Sequence, residues 1–185
     1  MWHGAFHCLL FYGDGGQDRV LFQRRSREKQ IAPGLFDVSV GGHYAAGEGA
    51  GEAGPREIRE ELGLDIPFRS LVPVGRRVFV YCFTPRIFEY EFQDVFLLPL
   101  DARPDNLVLQ AGEVDAVLEL AVSEGIALFS GKKATVNGLL TDAGQRRSTV
   151  PVTAAGFVPS IDSYYLKLLQ LAQRLLQGDR DALAI

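Results

Sequence analysis

The stretch that decides the fold is residues 42–64, GHYAAGEGAGEAGPREIREELGL. Its last third carries three glutamates spaced i, i+3 and i+4, namely Glu57, Glu60 and Glu61. On a helix these side chains project from one face, where three carboxylates repel one another unless a cation neutralises them. Mg²⁺ and Mn²⁺ prefer oxygen ligands. The spacing therefore predicts a helix that holds a divalent cation.

The rest of the stretch places this helix in a larger pattern. Gly42 precedes Glu48 by six positions, and Glu48 precedes Arg56 by eight. Ile58 and Leu62 lie on the face opposite the glutamates and can anchor the helix to a core; Gly63 then supplies a helix stop. An exposed acidic helix with charge pairs is the alternative for the last segment alone, but the fixed positions before it favour a site.

Bulk properties are those of an ordinary globular chain. The 185 residues fit one domain spanning 1–185, and 47% are hydrophobic and 23% charged. A net charge of −4 gives no general attraction to a nucleic acid polymer. We expect no membrane segment and, by default, a cytoplasmic location. Cys8 and Cys82 lie in apolar, strand-like runs, which predicts two buried free thiols.

The remaining pattern predicts strands followed by helices. Apolar or alternating runs indicate strands at 5–12, 19–24, 35–41, 70–83, 88–98 and 114–121. Apolar residues from Ile161 onward recur at helical spacing and predict a helix over about 161–177, with Asp162 near its start. This order predicts an α/β fold in which helices cover a mixed sheet.

Two segments depart from a simple pattern. Between Glu48 and Arg56 the chain is rich in glycine and ends in Pro55, so we expect the helix to start late, near 53–55. Residues 130–160 hold two Thr/Val-rich runs with basic ends, which predicts an inserted hairpin in the C-terminal half. This hairpin is either peripheral or forms a lid or a dimer contact near the substrate. A homodimer is also left open.

Residues 42–64 resemble the box of the Nudix hydrolase superfamily, and residues 19–43 resemble its isopentenyl-diphosphate isomerase branch. The resemblance extends over about residues 2–120. It implies the Nudix α/β/α sandwich around a mixed β-sheet. It also implies hydrolysis of a small-molecule diphosphate with Mg²⁺ or Mn²⁺, without a nucleic acid polymer or a membrane as partner.

The hydrolase resemblance implies most of the site. The implied metal ligands are the Gly42 carbonyl with Glu57, Glu60, Glu61 and Glu91; the implied catalytic residues are those four glutamates and Arg56. Arg56 can also pair with Glu48 and fix the loop onto the helix; the alternative is that both face solvent. Glu113 is the other candidate for general base, and we favour Glu91.

The isomerase resemblance adds further positions. Arg25 and Lys29 match diphosphate-contacting residues, and His43 and Glu89 are assigned to substrate binding. In that branch the positions of His3, His43, Glu89 and Glu91 form a metal site. The branch's catalytic cysteine falls at Gly41, which has no thiol, so hydrolysis is favoured over isomerisation. An isomerase-like enzyme and a non-catalytic diphosphate-binding module are the alternatives.

Overall fold

The computed structural model describes residues 2–181 and 183–185, and its main element is a nine-stranded mixed sheet. The strand order is β5-β6-β1-β2-β7-β8-β9, with β4 paired to β1 and β3 to β2. The strands are β1 (His3–Asp14), β2 (Gln17–Arg25), β3 (Phe36–Asp37), β4 (Val40–His43), β5 (Val72–Thr84), β6 (Ile87–Leu100), β7 (Val114–Ala121), β8 (Val136–Asp142) and β9 (Arg147–Val152). Strands β1 and β6 run parallel and the other pairs are antiparallel.

Helices cover both faces of the sheet. They are α1 (Ala50–Leu62), α2 (Val122–Phe129) and α3 (Tyr164–Leu176). Because successive strand residues point to opposite faces, β1 contributes side chains to two hydrophobic cores, one on each face of the sheet. Phe6 and Leu10 pack with α1 residues such as Ile58, whereas Leu9 packs with α3 residues such as Leu168. The predicted sandwich of two helical layers around a mixed sheet is confirmed.

Strands β1 and β2 pair over only part of their length. Their register runs from Phe11 opposite Val20 to the hairpin turn. Beyond that point the buried Ser39 side chain lies between them: its hydroxyl accepts from the Leu10 amide at 2.7 Å and donates to the Leu21 carbonyl at 2.5 Å. The strands then separate, β1 pairing with β4 and β2 with β3. The resulting gap opens a cavity through the sheet.

The predicted late start of α1 is wrong, because the helix begins at Ala50. Glu52 accepts a hydrogen bond from the Gly49 amide at 3.4 Å, which stabilises the first turn. Ala53 and Gly54 are buried, and a Cβ at Gly54 would lie 2.8 Å from the Phe6 ring. Close packing of these small residues therefore offsets the weak helix propensity of the glycines in this turn.

The predicted hairpin within 130–160 is present as β8 and β9. Strand β8 pairs with β7, so the hairpin extends the main sheet at one edge. The last predicted helix is also present, but it begins at Tyr164. Ile161, expected on its buried face, is 92% exposed. Asp162 does not cap the helix; it lies 3.4 Å from Arg77 as an ion pair.

The two thiols are both free, but they differ in exposure. Cys8 is buried, and burial raises the pKa of its thiol well above the usual range. Cys82 is exposed, so the expectation of a second buried thiol is wrong: it lies on the face of β5 that also exposes Val78 and Val80. Among the described residues, no helix has both the length and the apolar character needed to cross a bilayer.

Replacing Gly54 by alanine tests the packing account of the first turn of α1. The added Cβ would press on Phe6 and on Leu71, 3.2 Å away, so we expect the free energy of unfolding to fall by about 1–3 kcal/mol. Gly51→Ala is the matched control, since its nearest neighbour outside the helix lies at 3.9 Å. It should stabilise by up to about 1 kcal/mol. Urea denaturation measures both; equal effects of the two substitutions would contradict the packing account.

Candidate functional site

A cavity of about 320 Å³ opens where β1 and β2 separate. It lies between the N-terminal halves of β1 and β6, the strand β4, the C-terminal half of α1 and the start of α3. Its lining includes most residues that the sequence singles out: Arg25, Lys29, Gly42, His43, Glu57, Glu60, Glu61, Glu89, Glu91 and Glu113. One cavity thus brings together acidic residues of α1, of β6 and of the segment before β7 with two basic residues, Arg25 at the end of β2 and Lys29 in the loop that follows.

Glu61 is buried at the inner wall of this cavity. One of its oxygens accepts from Gln23 Nε2 at 3.1 Å and from the Gly41 amide at 3.2 Å. Gln23 lies on β2 and Gly41 on β4, which pairs with β1, so the carboxylate bridges the two sides of the gap. Burial raises the pKa of Glu61 to about 8, and the Gly41 amide opposes the shift. The hydrogen bonds and charges around Glu61 therefore do not fully offset the free energy of burying its ionised form.

Arg56 occupies the space between the other helix carboxylates. Its Nη1 lies 2.8 Å from Glu57 and 3.0 Å from Glu60. Its Nε and Nη2 donate to the two oxygens of Glu48 at 2.8 and 2.7 Å, a bidentate pair. Hydrogen bonds from Arg56 and from the Ala45 amide lower the pKa of Glu48 to about 2. Arg56 therefore ties the preceding loop to α1 and neutralises the outer carboxylates.

Gly42 and Glu57 approach each other closely. A Cβ at Gly42 would overlap the Glu57 carboxylate, so a larger residue here would displace that carboxylate. Burial raises the pKa of Glu57, and the charge and hydrogen bond of Arg56 oppose that shift. The contact places the β4 backbone against a carboxylate of α1, as a shared cation site would require.

A second group of ligands lies across the cavity. His3, His43, Glu89 and Glu91 each offer an atom within 4.8 Å of the other three. The parallel register of β1 and β6 sets His3 beside Glu91. His43 Nε2 lies 2.9 Å from Glu91 and 3.0 Å from His3 Nε2. Within residues 2–181 and 183–185 this is the set that meets such a spacing; the glutamates of α1 do not.

The two carboxylates of this group differ in their affinity for protons. Burial, and then the neighbouring Glu91, raise the pKa of Glu89. Burial also opposes ionisation of Glu91, but hydrogen bonds from His43 and Gln93 and the charge of His7 hold its pKa below the usual range. The hydrogen bond to Glu91 raises the pKa of His43, against the effect of burial. Glu91 is thus the carboxylate that stays ionised.

The two basic residues of the cavity, Arg25 and Lys29, both have partners within the protein. Arg25 donates from Nε and Nη2 to the Ile31 carbonyl at 3.2 and 3.1 Å and lies 3.5 Å from Asp37. Lys29 forms an ion pair with Glu113. Glu113 therefore already has a cationic partner, whereas Glu91 faces the two histidines. Both Arg25 and Lys29 still line the cavity.

The donor atoms on the two sides suit different cations. On the α1 side the donors are carboxylate oxygens and the backbone of Gly42, a set that suits Mg²⁺ or Mn²⁺. The other side mixes imidazole nitrogen with carboxylate oxygen, which suits a transition metal such as Mn²⁺ or Zn²⁺. The buried Glu61 carboxylate also fits a bound cation, because a positive charge would favour its ionised form.

Four residues at the other end of the cavity were missed by the sequence analysis. They are His7, Arg77, Gln93 and Tyr164, and all line the cavity. Gln93 has the same parity on β6 as Glu89 and Glu91, so strand alternation could have found it. His7 and Tyr164 hydrogen-bond across 157 positions at 3.1 Å, a contact with no local sequence signal.

The sequence is similar to that of a known protein family and of several of its members. The NUDIX domain family model matches residues 1–134. The chain is 30% identical over 174 residues to an uncharacterized Nudix hydrolase of Clostridium acetobutylicum, which covers 91% of this chain and 83% of that protein. It is 45% identical over 69 residues to an isopentenyl-diphosphate Delta-isomerase of Leifsonia xyli, but this covers only 37% of this chain and 36% of the isomerase.

Solved structures share the fold at low identity. A MutT protein from Methanosarcina mazei has a TM-score of 0.56 at 16% identity, covering 94% of this chain and 96% of that one. The NUDIX domain of Shewanella oneidensis NrtR, complexed with ADP ribose, has a TM-score of 0.53 at 14% identity, covering 67% and 75%. At these identities the likeness shows the fold alone.

The buried Glu61 predicts a pH-dependent difference in stability between the wild type and Glu61→Gln. The pKa is raised from 4.5 to about 8 in the folded protein, so the folded state binds its proton more tightly than the unfolded state. Wild-type stability relative to the variant therefore falls as pH rises from about 4.5 to 8 and then levels off. In EDTA we expect the difference in free energy of unfolding to change by about 2 kcal/mol or more across that window.

Glu60→Gln is the control for this measurement, because the Glu60 side chain is 46% exposed and solvent screens its charge. Chemical denaturation at several pH values gives both differences. If the difference in free energy of unfolding between wild type and Glu61→Gln varied with pH no more than that for Glu60→Gln, burial would not raise the pKa of Glu61.

Proposed function

The chain belongs to the Nudix hydrolase family, and from that premise we propose that it cleaves a diphosphate linkage in a nucleotide-type or related organic diphosphate, with Mg²⁺ or Mn²⁺. One observation carries the proposal: a single cavity is lined by Glu57 and Glu61 on one side and by Arg25 and Lys29 on another. Carboxylates bind the cation and basic side chains bind phosphate oxygens, so this combination suits a metal-bound diphosphate.

The residues that would hold the cation are Glu57, Glu60, Glu61 and the Gly42 carbonyl, with Glu91 facing them across the cavity. A cation bound there supplies charge neutralisation on the diphosphate and lowers the pKa of a bound water. In the structure Arg56 neutralises Glu57 and Glu60. A bound cation would take over that neutralisation, and the bidentate pair with Glu48 would still hold the Arg56 side chain.

The chain's own groups then divide the remaining work. Arg25 and Lys29 hold phosphate oxygens and orient the diphosphate. Glu91 accepts the proton of the attacking water; its pKa lies below the usual range, so it is ionised at neutral pH. A new bond forms between the water oxygen and phosphorus, and the bond from phosphorus to the bridging oxygen breaks. Glu113 is the less suitable base because Lys29 already binds it.

An isopentenyl-diphosphate isomerase-like activity is the second candidate. The close group of His3, His43, Glu89 and Glu91 favours it, since the isomerase branch carries ligands at these positions. Gly41 opposes it. A side chain at this position would face His7, with its Cβ 3.5 Å from the ring, and glycine leaves the position without a proton-transferring group.

Replacing Glu57 by glutamine should lower turnover by at least about 100-fold, because the amide keeps the size of the side chain but removes the charge that binds the cation. Glu52→Gln is the control, since Glu52 lies on the same helix but outside the cavity. Release of phosphate or nucleoside monophosphate at saturating Mg²⁺ measures the rates. Near-normal turnover of the Glu57 variant would overturn the assignment.

Hydrolase and isomerase functions separate on a shared substrate panel. We expect Mg²⁺- or Mn²⁺-dependent cleavage of at least one diphosphate and no interconversion of isopentenyl and dimethylallyl diphosphate. Gly41→Cys should fold, because its Cβ meets only ordinary contacts, and should not gain isomerase activity. Isomerase turnover by the wild type, with no hydrolysis across nucleoside, dinucleoside and prenyl diphosphates, would reverse the assignment.

A further inference from the structure

An exposed apolar surface lies on the β5–β6 hairpin, on the face opposite the cavity. Strand alternation separates the two faces: Phe79 and Glu91 line the cavity, whereas Val80 and Phe92 point away from it and are exposed. We call this second face the outer face; it consists of Trp2, Val78, Val80, Cys82, Phe88, Tyr90 and Phe92. Within residues 2–181 and 183–185, five of the eight exposed large hydrophobic residues belong to it. The exposed apolar residues are therefore clustered and not scattered.

The outer face is continuous because its residues are direct neighbours. Three cross-strand pairs form its main part: Val78 with Phe92, Val80 with Tyr90, and Cys82 with Phe88. Side chains opposite each other in an antiparallel ladder have Cβ atoms about 4.5–5.5 Å apart. Trp2, which precedes β1, extends the surface on the other side of β6: its ring stacks on Phe92 at 4.8 Å and contacts Tyr90 at 5.4 Å.

The exposed area of the outer face matches the apolar centre of a protein interface. Trp2, Phe88 and Phe92 are 47%, 49% and 41% exposed, so at about 150–250 Å² per aromatic side chain they expose roughly 200–340 Å². Val78 and Val80, both exposed, add to this area. A stable interface covers about 800 Å² on each partner, with an apolar centre and a polar rim. The outer face can therefore supply the centre, and the polar residues around it can supply the rim.

The rim of the outer face next to Val78 and Phe92 is electrically balanced. The adjacent pair in the ladder is Arg76 with Asp94. Arg76 donates from Nε and Nη2 to the two carboxylate oxygens at 2.6 and 2.9 Å, and the Tyr44 hydroxyl donates to one of them at 2.8 Å. Surfaces that attract anionic lipids instead gather about four to eight Lys or Arg residues. A balanced polar rim around an apolar centre favours a protein partner over a lipid surface.

The shape and position of the outer face suit a second copy of this chain. The face of a two-stranded ribbon packs on another sheet face about 10 Å away, with interdigitating side chains. A twofold axis places the same surface on both partners, so that surface must be complementary to itself. An uncharged apolar surface meets this condition, whereas a surface with charges of one sign does not. Because β5 is the terminal strand of the sheet, the outer face also lies at the margin of the molecule.

We propose that the outer face of the β5–β6 hairpin is a twofold-symmetric interface through which two copies of this chain form a homodimer. The proposal is independent of the chemistry in the cavity, because the outer face and the cavity lining use alternate residues of the same two strands. The partner would pack behind the strand segment that carries Glu89 and Glu91 into the cavity. Since the apolar centre is small for a stable interface, we expect a dissociation constant of about 1–100 µM.

Sedimentation velocity over a concentration series tests the interface on the full chain. The wild type should pass from the mass of one chain to twice that mass. Val80→Lys should raise the dissociation constant at least about tenfold, because the symmetric interface would bury the added charge twice. Val80→Thr keeps the branched shape and the strand propensity and should raise it by about threefold. Ile161→Lys is the matched control: Ile161 is exposed but lies outside the outer face, so we expect a value within about twofold of wild type.

The thiol of Cys82 reports whether this face is the one in contact. Cys82 is exposed on the outer face, whereas Cys8 is buried and its thiol pKa is raised, so a maleimide reacts with Cys82. We expect alkylation of the wild type to slow by at least about threefold when the concentration is raised from the monomer range to the dimer range. In Val80→Lys the rate should not depend on concentration. Circular dichroism confirms that each variant is folded.

Three results would overturn the inference. The first is a wild type that remains monomeric at millimolar concentration. The second is a dimer that both Val80 variants leave intact, or whose Cys82 is alkylated as fast as in the monomer, since the contact would then lie elsewhere on the chain. The third is flotation of the wild type, but not of Val80→Lys, with phosphatidylcholine vesicles in the absence of a dimer, which would assign the outer face to a lipid surface.

Discussion

The separation of β1 and β2 around Ser39 is the constraint on which the site depends. A continuous ladder between these strands would close the sheet and leave no cavity. Instead the buried Ser39 hydroxyl satisfies the Leu10 amide and the Leu21 carbonyl where the ladder ends. Buried backbone groups cost free energy when they are left unpaired, and the two hydrogen bonds of Ser39 remove that cost where the strands separate. Strands β3 and β4 then pair on the two sides of the gap.

The gap also explains where the charges lie. Glu61 enters it from α1 and accepts hydrogen bonds from both sides, through Gln23 and the Gly41 amide. Gly42 follows at the point where a side chain would displace the Glu57 carboxylate. Without a cation, Arg56 neutralises the outer carboxylates while Glu61 relies on protonation. The side chains around the gap therefore neutralise its carboxylates only in part.

The sequence predicted the sheet, the sandwich and the acidic helix because local periodicity carries that information. Glu57, Glu60 and Glu61 share a face for the same reason. It did not predict the start of α1, since propensity favoured a late start and the contact of Gly54 with Phe6 decided otherwise. It also missed Arg77 and Tyr164. Their juxtaposition depends on how α3 packs against β5, which no spacing along the chain encodes.

The proposed cation site is tested most directly by locating Mn²⁺ by anomalous scattering in crystals grown with an uncleavable diphosphate. We expect a manganese ion bound by Glu57 and Glu61 beside the Gly42 carbonyl, with the diphosphate between it and Arg25 and Lys29. Manganese bound only by His3, His43, Glu89 and Glu91, with Arg56 still between Glu57 and Glu60, would contradict it.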